Sequence, residues 1–384
     1  MSADELPIFV VTAPGLERVA ADELRAIGAP RARVIRGGVE VRGTPQLLLD
    51  ANLRLRTASR VLVRVAEFHA NSFHELERRA ARVPWELWVA AGIPVRFRVT
   101  AHKSKLYHSD AVAERLLRAV ATRLKTDLPA VAAERDEERE GADAQLFVVR
   151  LLDDQLTISA DSSGALLHLR GYRQATAKAP LRETIAAAML LASGWDAVQP
   201  LVDPMCGSGT IPIEAALMAR RIAPGLATGT PRRYAFERWP GHDDALWSRT
   251  VDRARSESLA SSPTPILASD RDAGAISATE SNADRAGVGA DIRIERAPAT
   301  AITPPDGSGW LVSNPPYGHR VGGKLPLRDL YAAFGRMASE RLRGWTIALL
   351  TADVRLERQL GLPLQVAFTT RNGGIPVRMV VARP

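Results

Sequence analysis

The chain has a single cysteine, Cys206, among 384 residues. One cysteine cannot form an internal disulfide, and it cannot supply a cysteine zinc site or an iron–sulfur cluster. No apolar run approaches the roughly 20 residues that a membrane-spanning helix needs. The acidic start, residues 1–5, lacks the basic and apolar segments of a signal peptide. We therefore expect a soluble, cytoplasmic protein that binds no metal and has no membrane partner.

The charge of the chain permits a nucleic-acid partner. Hydrophobic residues make up 46% of the sequence, enough for a large core divided between two or three domains. The formal net charge is +8, and most of the basic residues are arginine. Arginine binds phosphate groups and stacks on bases, although a GC-rich genome would produce the same excess. Charge alone is therefore compatible with RNA or DNA binding without proving it.

The order of strand-like and helical stretches changes along the chain. Residues 1–65 and 66–165 each predict a small α+β unit, the second ending in a hairpin, and residues 166–180 predict a linker. In residues 181–384, strands and helices alternate, which predicts a parallel sheet with helices on both faces. The sequence thus predicts an α/β domain preceded by two α+β units.

A glycine turn follows the first predicted strand of the back half. Gly207 and Gly209 carry no Cβ atom, so the backbone can approach a ligand closely, and the helix that follows offers free N–H groups to a carboxylate. The turn lacks the third glycine of a dinucleotide-binding motif. We predict that its residues contact a cofactor, and they are Asp203, Pro204, Met205, Cys206, Gly207, Ser208 and Gly209.

A second acid strengthens the cofactor prediction. Asp270 ends the next predicted strand, where a carboxylate can hold two ribose hydroxyls, and Arg271 follows it. A strand-end Asp can equally cap a helix, but two acids that end neighbouring strands favour a nucleoside cofactor at the sheet edge. Cys206 lies inside the turn, so we interpret it as a packing residue rather than a nucleophile, which disfavours cytosine C5 methylation.

An amide–proline motif ends the fourth predicted strand of this half. Asn314, Pro315, Pro316 and Tyr317 are the predicted catalytic residues. The side-chain oxygen of Asn314 and the carbonyl of Pro315 can each accept one N–H of a planar amine and orient its nitrogen. Tyr317 offers a stacking face for a base. Together with the glycine turn, the motif predicts methyl transfer from S-adenosylmethionine to an exocyclic amine.

These motifs resemble one known family. The chain resembles class I S-adenosylmethionine-dependent RNA guanine-N2 methyltransferases with a THUMP domain, most closely the RlmL-like branch that acts on 23S ribosomal RNA. The related tRNA guanine-N2 enzymes are similar too. Besides the two motifs, the resemblance rests on segments in the same order along nearly the whole chain, at residues 11–17, 52–60, 168–173, 179–183, 223–226 and 236–239.

The resemblance implies a fold and further site residues. The implied architecture is a ferredoxin-like unit, a THUMP RNA-binding domain and a Rossmann-like methyltransferase domain with a final antiparallel strand, in a monomer. The implied cofactor is S-adenosylmethionine, with the glycine turn at its methionine side, Asp270 at its ribose, and Pro180 and Leu181 closing over it. We also expect four residues to guide the RNA unless they form a plain solvated linker: Arg170, Tyr172, Arg173 and Lys178.

One departure and several alternatives stay open. Members of the family usually place an Asp after the third strand, near the adenine amine, where this chain has Pro298; a backbone carbonyl or Asp291 would have to replace it. The same motifs would serve a tRNA guanine-N2 enzyme, an adenine-N6 nucleic-acid methyltransferase or a protein glutamine methyltransferase. A non-catalytic RNA-binding assembly factor with a decayed cofactor pocket is a further alternative.

Overall fold

The structure is a computed structural model that describes residues 5–126, 128, 143–174, 181–317 and 327–384. In the front half, the strands are β1 (Leu6–Thr12), β2 (Arg33–Ile35), β3 (Gly38–Gly43), β4 (Ala58–His69), β5 (Val95–His102), β6 (Gln145–Leu152) and β7 (Gln155–Asp161). The helices are α1 (Glu17–Ala26), α2 (Pro45–Arg54), α3 (Phe73–Ala80) and α4 (Ser109–Leu124), with a short 3-10 helix at Trp85–Leu87.

The described front half forms one mixed sheet of seven strands. Their order is β2-β3-β1-β4-β7-β6-β5, and every pair is antiparallel except β5 with β6. Apolar side chains of the sheet and of α1 to α4 share one continuous core. Strand β4 passes through the domain boundary predicted at residues 65 and 66, so the two front units share a sheet; the division of the chain into domains stays a prediction.

The back half has strands β8 (Leu201–Asp203), β9 (Ile266–Asp270), β10 (Ile292–Arg296), β11 (Trp310–Ser313), β12 (Thr346–Thr351), β13 (Gln365–Asn372) and β14 (Ile375–Ala382). Its helices are α5 (Glu183–Ala192), α6 (Thr210–Ala219), α7 (Asp244–Ser256), α8 (Ala273–Arg285), α9 (Leu327–Arg341) and α10 (Val354–Gln359). Short 3-10 helices lie at Pro224–Leu226, Ala235–Arg238, Gly289–Asp291 and Ala299–Ala301.

These seven strands of the described back half form a second sheet, with the order β10-β9-β8-β11-β12-β14-β13. Neighbours from β10 to β12 run parallel, and β14 is antiparallel to both β12 and β13. Strand order reverses between β8 and β11, which is where ligands bind in doubly wound sheets. The predicted fold class, an α/β domain with a final antiparallel strand behind an α+β front half, is confirmed.

Helix starts follow local sequence signals. Thr44, Ser72, Asp243, Asp272 and Asp353 each accept a hydrogen bond from a backbone N–H in the first turn of the helix that follows.

The sequence did not predict three elements of the fold: β2, α5 and α7. Strand β2 has three residues, and α5 is buried almost all round, so it shows no polar face by which a surface helix is recognised.

Each half of the molecule completes the core of the other. From the front half, Leu16 is fully buried in the core of the back half, next to α5 and the second sheet. From the back half, Tyr234, Phe236 and Trp239 are buried in the front core. Such mutual burial makes the two halves one packed body, because neither core is complete without residues from the other.

The described part of the predicted linker is packed between the halves. Arg170 is 6% exposed; its guanidinium donates to the carbonyls of Leu167 and Arg56 and lies 3.5 Å from the carboxylate of Glu214 on α6. Tyr172 is fully buried, and its hydroxyl donates to the same carboxylate over 3.2 Å. Arg170 and Tyr172 have no surface for RNA, so the predicted RNA contact is wrong for both: they join the front half to α6.

We expect Leu16→Ala to lower the free energy of unfolding by about 2–5 kcal/mol, because it opens a cavity in the back core. The change lies in the front half but should lower the melting temperature of the whole molecule in one calorimetric transition. Leu87→Ala is the matched control, since Leu87 is 56% exposed. A separate transition that keeps its original temperature would show that the halves unfold independently.

We expect Arg170→Ala to destabilise the protein by about 3–5 kcal/mol, because it leaves the buried Glu214 carboxylate without its cation. The double change Arg170→Met with Glu214→Leu should recover much of that loss. Urea unfolding measures both, with the exposed Arg343→Ala as control. If Arg170→Ala left stability unchanged and weakened RNA binding instead, the interface role would be refuted.

Candidate active site

The two predicted motifs lie side by side at one edge of the second sheet. Strands β8 and β11 pair in parallel, with Leu201 opposite Trp310 and Val202 opposite Leu311. The last residues of these strands are also bonded, because the Ser313 hydroxyl donates to Asp203 Oδ1 over 2.6 Å. The glycine turn and the amide–proline motif therefore start from adjacent points of the sheet.

The glycine turn leaves room for a ligand against its backbone. Gly207 and Gly209 have φ values of +56° and +83°, in the left-handed region that side chains rarely adopt. A Cβ atom on Gly209 would lie 2.7 Å from Thr279 Cγ2, whereas one on Gly207 would meet no atom of the described residues within 4 Å. In the part of the chain that the structure describes, no side chain caps the N-terminus of α6, which begins at Thr210. The turn thus forms an open cradle that ends at a helix N-terminus.

Helix α8 supports the turn from behind, which the sequence analysis missed. Thr279 donates its hydroxyl to the carbonyl of Gly207 over 2.9 Å, and Asn282 donates its amide to the carbonyl of Ser208 over 2.8 Å. Cys206 Sγ lies 3.6 Å from the Thr279 hydroxyl, and burial raises the pKa of its thiol. Cys206 packs in the core, as expected. The i, i+3 spacing of Thr279 and Asn282 on one helix was the available signal.

Two carboxylates lie close to the turn in different environments. Asp203 is 1% exposed, and burial raises its pKa to about 7. The hydrogen bonds from the Ser313 hydroxyl and the Met205 N–H oppose this effect, because they lower the pKa. Asp270 is half-buried, and its two oxygens accept the N–H groups of Gly207 and Asp272 over 3.1 and 3.0 Å. Asp270 is thereby fixed against the cradle, where the sequence analysis expects a ribose.

The amide–proline motif contains a buried acceptor without a partner. Asn314 Oδ1 is buried and receives no hydrogen bond from the described residues. A buried polar atom of this kind costs about 1–3 kcal/mol unless a ligand satisfies it. The Tyr331 hydroxyl donates to the carbonyl of Pro316 over 3.4 Å, which holds the backbone just after Pro315. The site therefore offers one fixed amide oxygen to an N–H donor.

Tyr317 is more enclosed than the sequence analysis expected. Its ring is 8% exposed and packs in the core of the back half. Its hydroxyl accepts the side-chain amide of Asn372, at the end of β13, over 3.3 Å. A stacking role for Tyr317 remains a prediction. It requires the surrounding residues to move away from the face of the ring.

Other predicted cofactor and RNA residues are placed less directly. Leu181 has its side chain in the core, so only its backbone can reach a ligand, and its carbonyl accepts a hydrogen bond from Arg173. Arg173 also pairs with Glu183 over 2.6 Å, which leaves its side chain only 10% exposed. The Arg271 side chain is exposed. Pro180 and Lys178 lie outside the described residues.

Pro298 and Asp291 lie at opposite ends of β10. Pro298 follows the strand, at the same sheet edge as the glycine turn, and precedes the 3-10 helix at Ala299–Ala301. Asp291 precedes the strand and pairs with Arg220 over 3.2 Å, so it faces away from the candidate site. Asp291 therefore cannot replace the missing acid near an adenine, and the suggestion that it does so is wrong.

The arrangement fits the cofactor that the resemblance implies. The cradle at Gly207 has space for a ligand, Asp270 presents a fixed carboxylate, and Asn314 carries an unsatisfied acceptor at the neighbouring strand end. S-adenosylmethionine needs contacts for a methionine part and a ribose, and the amine to be methylated needs an acceptor.

Within the described ranges, no three His, Cys, Asp or Glu side chains group as a metal site, and no helix is long and apolar enough to cross a bilayer.

Comparison with known proteins identifies the family of this chain. Residues 170–380 match the family model described as "UPF0020: RMKL-like, methyltransferase domain", and residues 7–62 match the "RlmL ferredoxin-like domain". A Synechocystis protein named "Putative RNA methyltransferase slr0064" is 32% identical over 383 residues, which is 99% of this chain and 97% of that protein.

Two further similarities extend the match. The ribosomal RNA large subunit methyltransferase K/L of Syntrophotalea carbinolica is 37% identical over 97% of this chain, but the match spans only 53% of that longer relative. The crystal structure titled "SMU.472, a putative methyltransferase complexed with SAH" is 29% identical with a TM-score of 0.87, and the match covers 100% of this chain and 99% of that one. The family model covers more than half of the sequence, and the chain therefore belongs to the RMKL-like methyltransferase family, with an RlmL-type ferredoxin-like domain at its front.

Proposed function

We propose that this protein transfers a methyl group from S-adenosylmethionine to the exocyclic N2 amine of a guanosine in RNA, with large-subunit ribosomal RNA as the preferred substrate. The observation that carries the proposal is the buried Asn314 Oδ1 beside the glycine turn, which has no hydrogen-bond partner among the described residues. The family supports methyl transfer, and the names of the Synechocystis and Syntrophotalea relatives support RNA and ribosomal RNA.

Bound S-adenosylmethionine supplies an electrophilic methyl group, and the residues of this chain then have to present the amine. The lone pair of a guanine N2 amine is delocalised into the ring, so the nitrogen is a weak nucleophile. Asn314 Oδ1 accepts one N–H and the Pro315 carbonyl accepts the other, which aims the lone pair at the cradle and favours a pyramidal nitrogen. The two prolines hold both acceptors in place before the base arrives.

The proton that the reaction releases does not have to be taken up by Asn314. The nitrogen gains a methyl group and then loses one of its protons. Asn314 is a neutral amide and does not take that proton, so its contribution is orientation and not general-base catalysis. The N-methylated amine is strongly acidic while cationic, and the proton passes to solvent after transfer. No strong base is therefore required at this site.

A basic and aromatic loop in the front half is the best-placed RNA contact among the described residues. His102 at the end of β5 is exposed, and between β5 and α4 the exposed side chains are Lys103, Lys105, Tyr107 and His108. Tyr107 is 68% exposed, with its ring 4.1 Å from that of His108. The Lys105 N–H donates to Asp154 over 2.7 Å, which fixes the loop to the β6–β7 turn. Exposed rings and cations in a fixed loop suit single-stranded RNA.

We expect Asn314→Ala to lower kcat by about 10²–10³-fold, because the amine loses an oriented acceptor, while affinity for S-adenosylhomocysteine stays unchanged. Methyl incorporation into ribosomal RNA from a strain lacking the enzyme measures the rate. The exposed Asn71→Ala is the matched control. Nucleoside mass spectrometry identifies the product: N6-methyladenosine, or methylation of tRNA alone, would overturn the proposed substrate, and full cofactor binding without any methylation would indicate an assembly factor.

We expect the pair Lys103→Ala and Lys105→Ala to reduce the salt dependence of RNA binding by about one phosphate contact each. Tyr107→Ala should weaken binding about 5- to 150-fold through lost base stacking, the equivalent of about 1–3 kcal/mol. Filter binding at several salt concentrations measures both effects. Val198→Ala, at a residue that is 71% exposed, is the control for surface change. Unchanged affinity in all loop variants would place the RNA elsewhere.

A further inference from the structure

One buried hydrogen bond joins the two motifs of the candidate site. Ser313 is the last residue of β11 and directly precedes Asn314, while Asp203 is the last residue of β8 and begins the glycine turn. The Ser313 hydroxyl donates to Asp203 Oδ1 over 2.6 Å, and the same oxygen accepts the Met205 N–H over 3.2 Å. The side chains of both partners are almost fully buried, at 0% and 1% exposure.

We propose that Ser313 is a positioning residue, whose hydroxyl holds the Asp203 carboxylate in place to meet the ammonium group of the cofactor's amino-acid part. This inference rests on the proposed function, because it needs S-adenosylmethionine or its product in the cradle. Through the same bond, Ser313 fixes the start of the glycine turn relative to the start of the amide–proline motif. Ser313 itself touches neither the reacting nitrogen nor the methyl group.

Among the described residues, no cation is one of the groups that shift the pKa of Asp203. Burial is the largest influence and raises its pKa, Asp270 raises it further through charge repulsion, and the Ser313 hydroxyl and Met205 N–H lower it. The thiol of Cys206 also lies near, and it stays neutral because burial raises its pKa. None of these groups is a cation. A ligand that brings an ammonium group would therefore supply a positive charge that the described residues do not place there.

The raised pKa of Asp203 determines how ligand binding should depend on pH. With a pKa raised to about 7, Asp203 is largely protonated below pH 7 in the free protein. An ammonium ligand favours the ionised carboxylate, so binding below pH 7 must release a proton, and affinity falls as the pH falls. Without the Ser313 bond, the pKa of Asp203 rises further, and the loss of affinity begins at higher pH. A purely structural hydroxyl would not move this profile.

The chain offers a close control for Ser313. Ser269 is the penultimate residue of β9, the other neighbour of β8, and it is 6% exposed. Its hydroxyl is buried and has no hydrogen-bond partner among the described residues. Ser269→Ala therefore removes a buried hydroxyl from the strand on the other side of β8 without removing a bond to Asp203. Any general effect of replacing a buried serine should appear equally in both variants.

The test is calorimetric titration of the full chain with S-adenosylhomocysteine, which keeps the ammonium group and lacks the sulfonium. Measured from pH 5.5 to 8.5 in two buffers of different ionisation enthalpy, it gives both the affinity and the number of protons released. Proton release by the unmodified protein should be half-maximal near pH 7. In Ser313→Ala, the midpoint should move up by about one pH unit, and affinity near pH 7.5 should fall about threefold because a smaller fraction of Asp203 is then ionised.

Three further variants complete the test. Ser269→Ala should keep the original midpoint, and Ser313→Thr, which retains a hydroxyl, should restore most of it. Asp203→Asn should bind without a pH-dependent proton release in this range. An unmoved midpoint in Ser313→Ala, or persistent proton release in Asp203→Asn, would overturn the role of Ser313 and leave the proposed function standing. If the unmodified protein did not bind S-adenosylhomocysteine at all, the proposed function itself would fail. Melting temperatures show which variants are folded. If Ser313→Ala does not fold, proton release by Asp203→Asn is the measurement that supports or overturns the proposal.

Discussion

The parallel pairing of β8 with β11 is the constraint on which the candidate site depends. Because strand order reverses between these two strands, the chain leaves them in opposite directions, toward β9 and toward β12, and the two loops begin at adjacent points of one sheet edge, where ligands bind in such sheets. The glycine turn contributes backbone with little steric bulk, and the amide–proline motif contributes acceptors held by proline. Separation of the two loops by even one strand would place the methyl donor and the amine about 5 Å further apart. The chemistry is therefore a consequence of the strand order more than of any single residue.

The site is also anchored to the front half. Glu214 lies on α6, the helix whose N-terminus closes the cradle, and it is held by Arg170 and Tyr172 from the segment between the halves. Arg56 of the front half donates to the carbonyl of Ile222, just beyond the same helix, over 2.7 Å. Helix α6 therefore packs on the second sheet and is also held by Arg170, Tyr172 and Arg56. A substrate bound to the front half would therefore lie at a fixed distance from the candidate site.

Sequence reasoning predicted the features that depend on local pattern. Period and turn residues were sufficient for most strands, for the glycine turn and for the place of Asn314 at a strand end. Features that depend on burial were not accessible in the same way. Arg170 and Tyr172 are typical of an RNA-binding segment as a string, and only the packing of α6 against the front half turns them inward. Asp291 is near Pro298 in sequence, but the intervening strand places them at opposite sheet edges. The supporting contacts of Thr279 and Asn282 are likewise tertiary, since they join residues more than 70 positions apart.

The exchange of aromatic and aliphatic residues between the halves bears on how a nascent chain can fold. The front core includes Tyr234, Phe236 and Trp239, which the ribosome adds only after the entire front half and the first strand and helices of the back half. The first seven strands can therefore pair early, but their core lacks these three aromatic side chains until Trp239 has left the exit tunnel. For that interval, the incomplete sheet exposes apolar surface that a chaperone or a neighbouring chain can bind. Translation speed across residues 160 to 240 should for that reason affect the yield of native enzyme.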